Sequence, residues 1–60
     1  QEIRIITNAE TGRQYTLQAS DDLSNWVDVE TIRAEEETLT FTEAFDPLLP
    51  HRYFRVVASL

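Results

Sequence analysis

Apolar and polar residues alternate along the chain in five short runs, with turn-forming residues between them. Residues 2–7 set Ile3 and Ile5 on one face and Arg4 and Ile6 on the other. Residues 14–20 set Tyr15, Leu17 and Ala19 against Thr16, Gln18 and Ser20. A period of two residues marks a half-buried β-strand. Residues 26–33 begin at the single Trp and alternate Val27, Val29 and Thr31 with Asp28 and Glu30. Ile32 then falls out of phase, and a β-bulge near Glu30 and Thr31 would return it to the core face. Residues 38–42 place Leu39 and Phe41 opposite three threonines. Residues 52–58 place Phe54 and Val56 opposite Tyr53, Arg55 and Val57.

The intervening segments have turn chemistry. Asn8-Ala9-Glu10-Thr11-Gly12 surrounds the one glycine. Asp21-Asp22-Leu23-Ser24-Asn25 is rich in side chains that bond their own backbone, and Asp22 or Ser24 is placed to cap a single helical or 3₁₀ turn. Glu35, Glu36 and Glu37 read as the solvated tip of a hairpin joining the third and fourth strands. Residues 43–51 hold Pro47 and Pro50 and read as a crossover, with Phe45, Leu48 and Leu49 folding back as a plug over one end of the core. No run has a sustained helical period, and no repeat or low-complexity tract occurs. The short links favour antiparallel neighbours, because parallel pairs need crossovers of about a dozen residues or more.

The predicted fold is therefore all-β: a five-stranded antiparallel β-sandwich or open barrel, formed by residues 1–60 as one small domain. Its expected core is Ile3, Ile5, Tyr15, Leu17, Trp26, Val27 or Val29, Ile32, Leu39, Phe41, Phe54 and Val56.

Size sharpens this picture. A chain of 60 residues buries only about 60% of the surface its unfolded form exposes, so small domains usually need disulfides, metals or neighbours. Cysteine is absent and there is one His, which removes disulfides, thiolate sites and His-cluster metal sites. Stability must come from packing, a neighbouring domain or a partner chain. The chain opens at Gln1 and contains no Met, so it is expected to be excised from something longer or processed. No apolar run approaches the ~18 residues of a membrane span. The formal charge is −6 and every basic residue is Arg. That field repels phosphate backbones and anionic membranes, so neither nucleic acid nor membrane insertion is expected.

Tyr15-x-Leu17-Gln18-x-Ser20-x-Asp22-Leu23-x-x-Trp26, followed by a Thr-Phe strand and a closing aromatic-aromatic-Arg55-Val56, resembles a small module of large secreted bacterial multidomain proteins. Those modules are similar to abbreviated fibronectin type III domains. The resemblance spans about residues 15–57. It implies an immunoglobulin-like sandwich, an extracellular or cell-surface location and an accessory, non-catalytic role. Trp26 would then correspond to the buried Trp of such sandwiches, and Leu48-x-Pro50 to the loop leading into a corner tyrosine. The chain departs from the pattern in two ways. It has room for five strands rather than seven, and its order is Tyr53-Phe54-Arg55 where relatives carry Phe-Tyr-Arg. Phe54 thus stands where the corner hydroxyl belongs.

Candidate chemistry is sparse. Asp21, Asp22 and Asp28 offer carboxylates to Ca²⁺, but their spacing does not match an EF-hand and the loop lacks Gly; turn chemistry explains them. Asp46 and His51 have no nucleophile or oxyanion-type turn beside them, so no enzyme, metal or cofactor is expected. Tyr53, flanked by Arg52 and Arg55, is the exposed aromatic suited to a sugar ring, although Arg–Tyr stacking across a sheet accounts for it equally. Ile6 and Val57 point away from the main core face and could cover a neighbour.

Tyr53, Arg52, Arg55, Ile6 and Val57 are accordingly the expected ligand or partner contacts. The expected role is a spacer or docking module, with a neighbouring domain or a second copy as partner. A carbohydrate-binding accessory module is the alternative, and an engineered miniprotein without natural function is a third. The irregular loop of residues 43–51 argues against the last.

Overall fold

A computed structural model of the chain describes residues 2–44 and 52–59. It is all-β, with five strands and no helix among those residues: β1 (Glu2–Asn8), β2 (Gln14–Ser20), β3 (Val27–Arg33), β4 (Thr38–Ala44) and β5 (Tyr53–Ala58). β1 pairs with β4, and a second sheet has the order β3-β2-β5. All three pairings are antiparallel. The two sheets stay separate, so the architecture is sandwich-like rather than an open barrel.

Several boundaries and links differ from the sequence reading. β4 runs on to Ala44, because Glu43 pairs with Ile3 and Ala44 with Glu2. Trp26 and Arg52 lie just outside their strands. Glu35, Glu36 and Glu37 do not close a hairpin, since β3 and β4 belong to different sheets and this segment crosses between them. The expected plug (Phe45, Leu48, Leu49), Asp46, both prolines and His51 lie outside the described residues.

The bulge exists, one position earlier than expected. Leu17 pairs with Glu30 and Gln18 with Asp28, so Val29 is the extra residue. Its effect is the anticipated one: Ile32 returns to the core face opposite Tyr15. Val29 packs on the core as well, while Val27 is 63% exposed.

The core forms where the inward residues of β2 meet those of β4. Tyr15, Leu17, Ala34, Leu39 and Phe41 are buried together, and Ile5, Val29, Ile32, Phe54, Val56 and Ala58 pack against them half-buried. The inward residues of β1 and β5 are thus less covered than those of β2 and β4. Ile3 is half-buried and does not join this cluster.

The Tyr15 hydroxyl accepts a hydrogen bond from the Glu10 amide at 2.7 Å, pinning the β1–β2 loop to the core. The loop is tied further by Gly12 N–H to the Ala34 carbonyl (2.7 Å) and by Arg13 Nε to the Ser59 carbonyl (2.9 Å). Gly12 has φ of +90°, a left-handed conformation that side-chain-bearing residues rarely adopt.

Candidate functional site

The outer face of the β3-β2-β5 sheet carries most of the polar and aromatic residues singled out in the sequence. Register places Asp28, Gln18 and Arg55 in one row across the three strands. Gln18 Nε2 donates to Asp28 Oδ1 at 2.8 Å, and Arg55 Nε donates to Gln18 Oε1 at 2.7 Å. The Arg55 guanidinium also lies 4.1 Å from the centroid of the Trp26 ring. In the next row the hydroxyls of Thr16 and Thr31 are 2.9 Å apart. Tyr53 and Val57, 42% and 41% exposed, flank Arg55 along β5.

Trp26 is therefore not a core residue. It is half-buried on the outer face beneath Arg55, because it keeps the side-chain phase of Asp28 rather than that of Val27. A cation–π contact at such a site is worth about 0.5–1 kcal/mol, more where desolvated. Trp26→Ala is expected to lower stability by about 1–2 kcal/mol and leave the fold intact. Chemical denaturation would show a shifted midpoint with an unchanged slope. A loss as large as a core truncation would mean that the ring supports the interior.

The expected contact residues do not form one site. Tyr53, Arg55 and Val57 share the outer face. Arg52 lies 5.2 Å from the ring centroid of Phe54, whose side chain packs toward the core. Ile6, 66% exposed, belongs to the other sheet and pairs with Thr40.

The β2–β3 turn is built from two side chains and contains no helical turn. The buried Ser20 hydroxyl accepts from the amides of Asp22 (3.2 Å) and Leu23 (2.9 Å) and donates to Asp22 Oδ1. The Asp22 carboxylate accepts from the amides of Asn25 and Ser24 and from the Asn25 side chain. Leu23 at the tip has φ of +66° and is exposed.

The Asn25 and Ser24 amides favour the charged form and hold the Asp22 carboxyl well below the usual carboxylate range. A depressed folded pKa contributes stability above the unfolded value of about 3.9 and loses it as pH falls through the folded pKa. Asp22→Asn is therefore expected to be less stable than the parent at neutral pH, with the gap closing below about pH 4. Paired denaturation series across pH would check this. A gap independent of pH would show that charge is not what the turn uses.

Asp21, Asp22 and Asp28 do not converge, and among the described residues no three His, Cys, Asp or Glu side chains are grouped to hold a metal ion. No helix of the described residues is long and apolar enough to cross a membrane.

What sequence reasoning missed is the backbone. Ser59 N–H donates to the Gln14 carbonyl, which continues the β2–β5 ladder by one pair. Antiparallel bonding alternates, so Tyr53, Arg55 and Val57 bond β2, whereas the amides and carbonyls of Phe54, Val56 and Ala58 face the opposite edge, which no described residue pairs with. The same parity, set by Ala9 N–H to the Glu37 carbonyl and by Ala34 N–H to the Arg13 carbonyl, applies to the other edges. There the backbone groups without a partner among the described residues include those of Arg4 and Ile6 of β1, Thr40 and Thr42 of β4, and Asp28, Thr31 and Arg33 of β3.

These edges are not equally guarded. Charges, bulges, proline and inward-pointing charges are the usual protections. β3 has the bulge and three charged residues, β4 has the inward, half-buried Glu43, and β1 carries Glu2 and Arg4. β5 has one charge, Arg55, and that side chain is drawn back over Trp26 and Gln18.

No protein-family model, curated protein or solved structure matches the chain.

Proposed function

We propose that the chain is a non-catalytic structural and protein-interaction module, a spacer or docking domain of a secreted or cell-surface protein, acting through its free sheet edges. The observation that carries this is topological. A β1–β4 pair beside a β3-β2-β5 sheet is the order that strands B–E and C′–C–F take in an immunoglobulin-like sandwich, and this supports the fibronectin type III-like reading. In the larger sandwich a strand A lies beside B and a strand G beside F. Among the described residues nothing pairs with the outer edges of β1 and β5, the positions of those neighbours, and the inward residues of both strands are only half-buried. A neighbouring domain or a second copy would cover these edges by strand addition.

Amide hydrogen exchange on the isotope-labelled chain tests this reading. The edge amides of Arg4, Ile6, Phe54, Val56 and Ala58 are expected to exchange fast when dilute. They gain protection when the chain is concentrated or joined to its neighbouring domain. Edge amides that stay unprotected in both settings would overturn it.

A second reading, carbohydrate binding, is favoured by one observation. The exposed Tyr53 sits on the same face as the Arg55–Gln18–Asp28 row, which offers planar hydrogen-bonding groups beside an aromatic ring. Glycan binding lost in Tyr53→Ala with the fold retained would establish it.

A further inference from the structure

We infer that the occupant of the β5 edge is the β5 edge of a second copy, paired antiparallel about Val56. This rests on the edge-docking reading above and names its partner.

Parity singles out this pairing. In an antiparallel ladder, residues directly opposite share both a hydrogen-bonding state and a side of the sheet. β5 presents the backbone of inward residues, namely Phe54, Val56 and Ala58. β1, β3 and β4 present the backbone of outward residues. Joining β5 antiparallel to any of those three would place the core face of one molecule beside the solvent face of the other. Among antiparallel pairings of β5, only a second β5 keeps both core faces on one side, giving a six-stranded sheet of order β3-β2-β5-β5-β2-β3.

Charge and size fix the register. Centring the pair on Arg55 would set the two arginines directly opposite, a like-charge pair that is unfavourable even with each guanidinium held over its own Trp26. Centring it on Val56 uses all of residues 53–59 and opposes no like charges. Phe54 then faces the partner's small Ala58, and Val56 faces its own copy. On the outer face Arg55 meets the partner's Val57, whose exposed side chain the arginine stem can cover. Tyr53 meets the partner's Ser59. The apolar residues left half-covered or exposed on β5 thereby gain a neighbour on both faces.

The register predicts opposite effects from opposite charges at one position. Val57 projects outward from β5, so Val57→Lys and Val57→Glu both spare the core, and each substitution enters the interface twice. Sedimentation equilibrium over a concentration series on the folded chain should show a dimer. Val57→Lys, facing the partner's Arg55, should weaken it roughly tenfold, and Val57→Glu should tighten it. Ala58→Pro removes an edge amide without touching a β2–β5 bond and should also weaken the dimer, which covers the case of a lysine variant that fails to fold. Ile6→Lys on β1 should change nothing.

A parent chain that stays monomeric to millimolar concentration overturns the β5 pairing. So does a dimer that Val57→Lys and Val57→Glu weaken alike. A dimer broken by Ile6→Lys instead overturns it while leaving edge docking in place, because the edge used is then β1. Loss of protection at every edge amide would remove both.

Discussion

Phe41→Ala is expected to leave the chain largely unfolded at room temperature. Phe41 is fully buried at the centre of β4, pairs with Ile5, and joins Tyr15, Leu17 and Leu39 where the two sheets meet. Truncating a buried phenylalanine costs about 3–5 kcal/mol, because transfer energy and the cavity it leaves add together. A domain this small has a total stability of roughly 3–9 kcal/mol at ~0.05–0.15 kcal/mol per residue. The loss is therefore most or all of the total. Circular dichroism through a urea titration would read it directly. A variant with its parent's midpoint would mean that the sheets do not close on this ring.

Leu17→Ala is the next largest effect, about 2–5 kcal/mol. Leu17 is also fully buried, but it sits in the central strand, bonded to neighbours on both sides. It stands opposite the bulge, where Glu30 is its partner and Val29 is the extra residue, packed on the core. Truncation opens a cavity at a place where the ladder is already irregular. The neighbouring Val29 and Val56 can close in only by shifting the bulge or β5. Loss of stability should therefore come with changed amide shifts in β3 and β5, a signature that Phe41→Ala would not share. A drop below about 1 kcal/mol would show that the bulge relaxes freely to fill the space.

The strands were legible wherever side chains alternate without interruption. Residues 14–19 and the Leu39–Phe41 pair read correctly, because burial on one face leaves its mark at a period of two, whereas Ser20, read as outward, is buried with its hydroxyl holding the β2–β3 turn. Trp26 was misread for a specific reason. A large aromatic at a strand start suggests the interior, yet one extra residue at Val29 changes which face each neighbour takes, and the arginine that covers the ring lies 29 positions away. Likewise, a short acidic link looks the same whether it closes a hairpin or crosses between sheets. Ala44 belongs to a strand only because β1 reaches it. The free edge of β5 has no local signature at all. Which amides it presents follows from pairing with β2, and which edges lack protection follows from the strand order.

That same strand order constrains how the chain reaches its fold. β2 and β3 are joined by six residues and can meet almost at once, helped by the Ser20 and Asp22 turn. The other two ladders have no such advantage. Asn8 must find Thr38 and Glu2 must find Ala44, while β5 must return to β2 from the far end of the chain. Loop-closure entropy is spent before those contacts repay it, and proteins of this kind fold in milliseconds to seconds rather than microseconds. Substitutions in the β2–β3 turn should then slow folding, while those in β1 and β5 should mainly speed unfolding.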